Sequence, residues 1–261
     1  MSEPITVVVT RPGAAGRRLA DELQQAGQPA LWLPAFEFGP APDEAAASAA
    51  LADLARFDLA IFVSPQAARA AAALLTRPWP AGTAIAAVGA GTRAAVLASI
   101  PAAAGAVLLA PPDDGDMRRS GSESLWPLLQ AMRPLPRRVL LLRAQGGREW
   151  LAERLHEAGA TVVPVAVYSR LRFVPDPRLR ERLAAAAASG SACVVSSSDA
   201  VEALTAMFAA EPEMLRALRD GLALAAHPRI AERLRKAGFG RVAVCAPTVD
   251  AIVAMLREGG G

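Results

Sequence analysis

Two copies of one strand-and-helix pattern decide the fold. Residues 7–27 read VVVTRPGAAGRRLADELQQAG and residues 139–159 read VLLLRAQGGREWLAERLHEAG, an offset of 132 residues (139 minus 7). In each copy an apolar run ends in arginine, passes through a glycine-containing turn and continues with leucines four residues apart until it stops at Ala-Gly. This order predicts a strand followed by a helix.

A shorter echo supports the same duplication. The segment IFVSP at 61–65 matches VVSSS at 194–198, an offset of 133 residues (194 minus 61). The chain has 261 residues, and single hydrophobic cores usually stop growing near ~250 residues. The sequence therefore predicts two related α/β halves with a cleft between them.

Short apolar runs bounded by Gly, Pro or Asp recur along the chain, and helical segments separate them. Runs without polar alternation indicate strands buried on both faces, as in parallel sheets covered by helices. The predicted class is α/β, with two doubly wound, flavodoxin-like parallel-sheet domains, one inserted in the other. The predicted strands lie near residues 5–9, 30–34, 58–63, 84–88, 106–110, 138–142, 161–165, 192–196, 222–226 and 241–245.

Two further extended stretches, at 36–38 and 165–170, fall where the chain would pass from one half to the other. They predict a two-stranded β connector and hence a discontinuous first domain. The predicted ranges are 1–35 with 174–261 for the first domain, 40–164 for the inserted second domain, and 36–39 with 165–173 for the connector.

The charge pattern bears on the ligand. A net charge of +3 and a pI of about 9.5 suit an anionic ligand. Most arginines, however, are dispersed beside acidic residues on predicted helix faces, which is typical of a solvated surface. Arg133, Arg137 and Arg138 form a run too short for a nucleic-acid surface, so no nucleic-acid partner is expected.

The cellular location of the protein is predicted from the absence of a recognisable secretory signal and of a membrane-spanning segment in the sequence. The N-terminus passes into a strand without a basic region, so no secretory signal is recognised. The longest apolar stretch, 94–110, is interrupted by Ser99, Pro101 and Gly105, and it is shorter than the ~20 residues that a membrane-spanning helix needs. Cys193 and Cys245 lie in predicted buried strands, as a reducing compartment allows. We expect a soluble, cytoplasmic protein without membrane association.

Few residues could support metal or nucleophile chemistry. Only two histidines occur, His156 on a predicted helix face and His227 just after a strand. They cannot form a histidine-rich metal site or a proton relay. Neither a G-x-S-x-G elbow nor a G-x-x-x-x-G-K loop is found. No metal site is expected, and hydrolase and NTPase functions lose support.

One turn has a nucleotide-binding pattern. The strand 84–88 is followed by GAGTRA at Gly89–Ala94, and Asp113 and Asp114 follow the next strand. That spacing is close to the ~20 residues of a dinucleotide site. Against this, the predicted helix ends before Pro101, and the motif lies in mid-domain. The turn is equally a helix N-terminus that offers backbone N–H groups and the Thr92 hydroxyl to a carboxylate. Both interpretations stay open, and the second is favoured.

Small hydroxyl residues and glycines follow many of the predicted strands. In open α/β sheets the turns at the carboxyl ends of the strands face the ligand crevice. Each hydroxyl alone fits an ordinary helix cap, but together they predict a cleft of neutral donors suited to a large polyanion. They are Thr10–Arg11, Ser64–Pro65, Gly89–Thr92, Ser122 with Ser124, Ser196–Ser198 and Thr248.

Eight short motifs in register resemble the uroporphyrinogen-III synthase family over essentially the whole chain. They are VTRP at Val9–Pro12, IFVSPQA at Ile61–Ala67, AVGAGT at Ala87–Thr92, SESL at Ser122–Leu125, LRAQGGR at Leu142–Arg148, VY at Val167–Tyr168, SSSDAV at Ser196–Val201 and APTVDA at Ala246–Ala251.

This resemblance implies two α/β domains and a cofactor-free, cytosolic carbon–oxygen lyase of tetrapyrrole, porphyrin and heme biosynthesis. The implied substrate is hydroxymethylbilane, a linear tetrapyrrole with eight carboxylates. The enzyme dehydrates and closes it in the interdomain cleft, with inversion of ring D, to give uroporphyrinogen III. The resemblance also implies a monomer that contacts hydroxymethylbilane synthase transiently.

The resemblance assigns roles to residues at the strand ends. Tyr168, the one tyrosine of the chain, would donate a proton to the departing hydroxyl; from the residues alone it fits a strand residue packed at the hinge. Arg11 and Arg143 either bind carboxylates or brace their turns by pairing with an acid. The residues implied to bind substrate carboxylates are Ser64, Gly89, Thr92, Ser197 and Ser198.

The chain departs from the family pattern after its penultimate predicted strand. Where many members have Gly-Pro-x-Thr, this chain has His227-Pro228-Arg229-Ile230. Either His227 or Arg229 takes over carboxylate binding, or the turn contacts little. Ser122, also a candidate contact, follows a long polar insert at 113–121 that is expected to be a mobile loop closing over substrate.

Two other functions remain open at this point. A non-catalytic two-domain protein that binds a polyanionic ligand would keep the cleft and the hinge. A dinucleotide-dependent enzyme would use the Gly89–Ala94 turn with Asp113 or Asp114 at a ribose.

Overall fold

The computed structural model describes residues 5–112 and 121–258. The polar insert, with Asp113 and Asp114, falls almost entirely outside the described residues, apart from Gly121. Over the two described ranges, no helix is both long and apolar enough to cross a bilayer.

Strands and helices alternate along the chain. The strands are β1 (Thr6–Val9), β2 (Ala30–Trp32), β3 (Phe36–Gly39), β4 (Leu59–Phe62), β5 (Ala84–Ala87), β6 (Leu108–Leu109), β7 (Arg138–Ala144), β8 (Thr161–Arg172), β9 (Ser191–Val195), β10 (Leu222–Ala225) and β11 (Arg241–Val244). The helices are α1 (Gly13–Gln25), α2 (Glu44–Ala52), α3 (Pro65–Leu74), α4 (Ala90–Ser99), α5 (Ser122–Gln130), α6 (Trp150–Glu157), α7 (Pro177–Ser189), α8 (Ser198–Met207), α9 (Pro212–Asp220), α10 (Pro228–Lys236) and α11 (Val249–Glu258).

The predicted α/β class is confirmed, and each predicted strand has a counterpart. The largest difference lies in β8, which runs unbroken from Thr161 to Arg172 where a strand ending at residue 165 and a separate connector were expected. The reason is that β8 has a neighbour on each side, β7 on one and β3 on the other. The strand continues for as long as either neighbour pairs with it.

The chain forms two compact units. Unit 1 contains residues 1–38 and 171–261, and unit 2 contains residues 39–170. The chain passes from one unit to the other within β3 and returns within β8.

Unit 1 contains a five-stranded sheet in the order β11-β10-β9-β1-β2. All its strand pairs are parallel. Counted along unit 1 alone, this is the doubly wound order 2-1-3-4-5 of flavodoxin-like folds. The strand order reverses between β1 and β9, which is where such folds bind ligands.

A second sheet has six strands in the order β3-β8-β7-β4-β5-β6. Its strands β4 to β7 and most of β8 belong to unit 2, and the pairs from β8 to β6 are parallel. If β3 is left out and β7 and β8 are counted as strands 1 and 2, the remaining five strands have the same 2-1-3-4-5 order. The unit β7-α6-β8 then corresponds to β1-α1-β2, and β4 corresponds to β9. These are the two correspondences that the sequence offsets predicted, so the second unit is a permuted copy of the first.

The sheets are buried on both faces, as the unbroken apolar runs predicted. In β1, Val8 packs in one core cluster, while Val7 and Val9 pack in the cluster on the other side. In β4, all four residues from Leu59 to Phe62 are fully buried. Each face alternates along the strand, because successive side chains point to opposite sides of a sheet.

The turn between β1 and α1 depends on a close approach of backbone to backbone. A Cβ atom added at Gly16 would lie 1.7 Å from the carbonyl oxygen of Arg11. That oxygen also accepts a hydrogen bond of 2.9 Å from Nε1 of Trp32. One carbonyl therefore fixes the turn to the end of β2, and only glycine fits at position 16.

Replacement of Gly16 by alanine should destabilise the protein. Helix propensity alone would favour alanine in α1 by ~1 kcal/mol, but the overlap with Arg11 should reverse the sign and cost at least ~2 kcal/mol. Urea unfolding would measure the change. Gly240→Ala is the matched control in the same unit, since no atom lies within 4 Å of an added Cβ there. Equal stabilities for the two variants would contradict this account.

Candidate substrate-binding and catalytic site

Helix N-termini gather at one edge of each sheet. Because the strands are parallel, their carboxyl ends lie at one edge, and each helix that follows a strand begins there. In unit 2 these helices include α3, α4 and α5, with N-caps Ser64, Gly89 and Gly121. The unpaired N–H groups of helix N-termini make this edge a place for anions.

Ser64 starts α3 through a side-chain cap. Its backbone is extended, and its Oγ accepts a hydrogen bond of 3.1 Å from the N–H of Ala67. Pro65 follows at the first helical position, where its fixed φ fits and no N–H is needed. The Ser-Pro pair thus sets both the start of the helix and the position of the hydroxyl.

Tyr168 reaches this cap from β8. Its ring is buried, and its Oη lies 3.1 Å from Oγ of Ser64. Since β7 lies between β8 and β4, this contact links two strands that are not neighbours in the sheet. The N–H of Gln145 donates to the carbonyl of Tyr168 at 3.0 Å, which fixes the tyrosine backbone against the β7–α6 turn.

A β-bulge gives Tyr168 its direction. Arg143 pairs with Ala166, but the next residue, Ala144, pairs with Tyr168, so Val167 is an extra residue in β8. Such a bulge re-aims the side chains that follow it. Tyr168 thereby pairs with Ala144, whereas an unbroken register would place it opposite Gln145.

The two hydroxyls form a donor pair. Oγ of Ser64 already accepts from α3 and still has one hydrogen to donate and a second lone pair to offer. Either hydroxyl can therefore be the donor between Ser64 and Tyr168, and the hydrogen of the other is then directed elsewhere. The arrangement can present an O–H group to an acceptor at the edge of the sheet.

Gly89 and Ser122 lie on neighbouring turns. The N–H of Gly121, which directly precedes Ser122, donates to the carbonyl of Val88 at 2.7 Å. This bond joins the start of α5 to the turn that starts α4. Thr92, in the first turn of α4, is buried, and its N–H donates to the carbonyl of Gly89 at 3.1 Å.

Arg143 braces its own turn. Its guanidinium donates to the carbonyl of Gly146 through Nε at 3.1 Å and Nη2 at 2.7 Å, and through Nη1 to Glu149 at 2.8 Å. Only 8% of its side chain is exposed. Of the two roles expected for this arginine, the contacts support bracing.

Unit 1 repeats the capped edge with different residues. Ser197 is the N-cap of α8, and its Oγ accepts from the N–H of Ala200 at 3.1 Å, just as Ser64 caps α3. Ser198 is the first residue of α8. Arg11 follows β1 closely, and its carbonyl receives the bond from Trp32.

His227 takes the place of a capping hydroxyl. It is the N-cap of α10, and its Nδ1 accepts a hydrogen bond of 3.1 Å from the N–H of Arg229. An accepting Nδ1 requires a neutral imidazole with its hydrogen on Nε2. Ile230, where many members have threonine, is buried in the unit 1 core. The turn therefore has a side-chain cap at His227, while Ile230 belongs to the core.

The two thiols are unsuited to nucleophilic chemistry. Burial raises the pKa of Cys193 to about 12 and also raises the pKa of Cys245. Both therefore stay protonated near neutral pH, whereas the thiolate is the reactive form. Over residues 5–112 and 121–258, no group of three or more His, Cys, Asp or Glu side chains could hold a metal ion.

Sequence reasoning placed the strand-end residues but missed their contacts. Ser64 and Tyr168 are 104 residues apart in the sequence. Nothing in the sequence indicates that they are in contact, because the bulge at Val167 leaves no recognisable sequence pattern. The bond from Gly121 was also missed. Its only sequence signal is a glycine just before the Ser-x-Ser of a helix start.

The fold and this edge define the class: a two-unit, flavodoxin-like α/β protein whose capped helix N-termini are suited to bind anions. Residues 17–254 match the family described as uroporphyrinogen-III synthase HemD. The chain belongs to the uroporphyrinogen-III synthase family.

Similar proteins agree with this assignment. The chain is 32% identical over 169 residues to the uroporphyrinogen-III synthase of Escherichia coli K12, and the match covers 64% of this chain and 65% of that protein, just under two thirds of its length. A mutant uroporphyrinogen III synthase of Thermus thermophilus has a similar structure, with a TM-score of 0.63, 22% identity and coverage of 98% of this chain and 97% of the other. The Helicobacter pylori 26695 enzyme gives a TM-score of 0.58, 16% identity and coverage of 98% and 99%. At these identities the two structures establish the fold.

The Ser64–Tyr168 contact should be measurable as a coupling energy. Ser64→Ala should cost ~1 kcal/mol through the lost cap, and the double variant with Tyr168→Phe should depart from additivity by ~0.5–1.5 kcal/mol. Urea unfolding of the four proteins would give this value. Ser197→Ala removes the equivalent cap in unit 1, and its effect should add to that of Tyr168→Phe within ~0.5 kcal/mol. Additivity for Ser64 as well would disprove the coupling.

Proposed function

We propose that the protein is a uroporphyrinogen-III synthase, a lyase that acts on hydroxymethylbilane without a cofactor. The observation that carries the proposal is the hydroxyl pair of Ser64 and Tyr168, placed among helix N-termini in a member of this family. A large polycarboxylate needs many anion-binding groups, and the reaction needs a proton donor. The carboxyl edges of the sheets offer both.

For this reaction the protein must supply a proton and hold the substrate in a fixed geometry. The pyrrole nitrogen of the substrate pushes out the hydroxymethyl oxygen, so the carbon–oxygen bond breaks as that oxygen takes a proton and leaves as water. We propose that Tyr168 donates this proton, since general acids of this kind need only hydrogen-bond reach of the leaving oxygen. The Ser64 hydroxyl would stabilise the phenol oxygen as its proton leaves.

Closure with inversion of ring D requires that the substrate be held in one folded shape. We propose that each unit binds carboxylates of the substrate at its own carboxyl edge, through N–H groups and hydroxyls. In unit 2 these are Ser64, Gly89, Thr92 and Ser122; in unit 1 they are Arg11, Ser197, Ser198, His227 and Arg229. Arg143 would act indirectly, by shaping its turn.

We further propose that the protein is a cytoplasmic monomer that meets hydroxymethylbilane synthase only transiently. The two buried cysteines, both held as thiols, are compatible with a reducing compartment. The transient contact rests on the family resemblance alone.

The direct test is to incubate the purified protein, without added cofactor, with freshly generated hydroxymethylbilane and to separate the oxidised products by isomer. The proposal predicts type III uroporphyrin in excess of the type I isomer that forms spontaneously. Type I alone, from protein shown to be folded by circular dichroism, would refute the synthase function. It would leave a polyanion-binding protein or, if nicotinamide or flavin binding were detected, a dinucleotide enzyme.

Tyr168→Phe should lower kcat by roughly 10²-fold or more, the range associated with losing a general acid, while KM changes little. Steady-state kinetics with isomer analysis would measure both. A near-normal kcat with a raised KM would show that Tyr168 positions the substrate and does not supply the proton. Far-UV circular dichroism would exclude misfolding as the cause.

A further inference from the structure

Two arginines, one at the end of β7 and one in the β7–α6 turn, have opposite surroundings. Arg143 is buried against Gly146 and Glu149, as described above. Arg148, five residues later, has 58% of its side chain exposed. Between them lie Gly146 and Gly147, with φ of 71° and 106°, a left-handed pair that few residues other than glycine adopt. The buried arginine and the two glycines fix the turn, and the turn presents Arg148 outward.

Arg148 forms an ion pair with Glu123, the second residue of α5. The two ends of this pair lie beside groups already placed at the site. On one side, Gln145 of the same turn bonds the carbonyl of Tyr168. On the other, Glu123 directly follows Ser122 in the first turn of α5, where N–H groups and the helix dipole favour a carboxylate.

Both partners of this pair are exposed to solvent. Glu123 is 39% exposed and Arg148 58%, and such surface pairs contribute little to stability. A stabilising role is therefore a weak reason for the pair. A guanidinium that holds a carboxylate of its own chain at the edge of a site for a polycarboxylate is, in contrast, already arranged for a carboxylate of the substrate.

We propose that Arg148 binds a carboxylate of the substrate and that Glu123 occupies its guanidinium in the empty protein as an internal competitor. When the substrate binds, one of its carboxylates takes the place of Glu123. The inference rests on the proposed polycarboxylate substrate and adds to it a specific binding residue together with a device that weakens binding.

Two substitutions should change substrate binding in opposite directions. Arg148→Ala should raise the KM for hydroxymethylbilane by about tenfold, because a charge-assisted hydrogen bond is lost. Glu123→Gln should lower the KM by about two- to fivefold, the size of the surface pair that no longer competes. In both variants kcat should stay near that of the wild type, and Arg148→Lys should fall between Arg148→Ala and wild type, since it keeps the charge but not the planar fork.

Matched controls come from the next ion pair of the same unit. Arg154 and Glu157 are paired at 2.8 Å on α6 with similar exposure, 45% and 59%. Arg154→Ala and Glu157→Gln make the same charge changes away from the carboxyl edge, so they should leave KM unchanged. Equal shifts in the control and test variants would show a general effect of charge and overturn the inference.

A second readout separates this inference from the proposed function. Uroporphyrin III carries the eight carboxylates of the product, and its fluorescence allows a binding titration without turnover. Weaker uroporphyrin binding by Arg148→Ala and tighter binding by Glu123→Gln would support the inference even if the wild type formed no type III isomer. Type III formation with unchanged KM and unchanged uroporphyrin binding in both variants would overturn it and leave the function standing.

Discussion

The parallel pairing of the strands is the constraint on which the rest of the structure depends. Because the paired strands of each doubly wound sheet run in one direction, their carboxyl ends form one edge and the following helices begin there. Residues far apart in sequence, such as Ser64 and Tyr168, are thereby brought within 3.1 Å. The same geometry supplies the unpaired N–H groups that make the edge attractive to carboxylates.

The two units share one order of strands and helices, and they differ in the residues of their turns. Ser64 and Ser197 cap equivalent helices with equivalent bonds, so a serine has the same structural role in both units. The contact between Ser64 and Tyr168 belongs to unit 2, and it gives that cap its proposed second task. The N-cap Gly89 of α4 corresponds to His227 of α10, whose imidazole Nδ1 accepts a hydrogen bond from the N–H of Arg229. Differences between the copies therefore indicate function better than their similarities do.

Periodicity was enough to predict the α/β class, the strand positions and the repeat, because apolar runs and leucine spacing report burial directly. Strand-end residues followed, since parallel sheets place them at one edge. The unpredicted features are those that depend on tertiary geometry: the bulge at Val167 that turns Tyr168 towards Ser64, and the pairing of Arg148 with Glu123. For Arg143 the sequence offered bracing and binding equally, and only its contacts with Gly146 and Glu149 favour bracing. The continuation of β8 to Arg172 depends on its neighbour β3, which local sequence cannot report.

The claim on which the account rests is that substrate carboxylates bind at the carboxyl edges of the sheets. Backbone amide shifts in an NMR titration of deuterated, nitrogen-15-labelled protein with uroporphyrin III would test it residue by residue. The account predicts the largest shifts in the first turns of α3, α4 and α5 and of α8 and α10. Shifts concentrated instead at the opposite edge, around Arg138, Ser191 and Leu222 where strands begin, would contradict it.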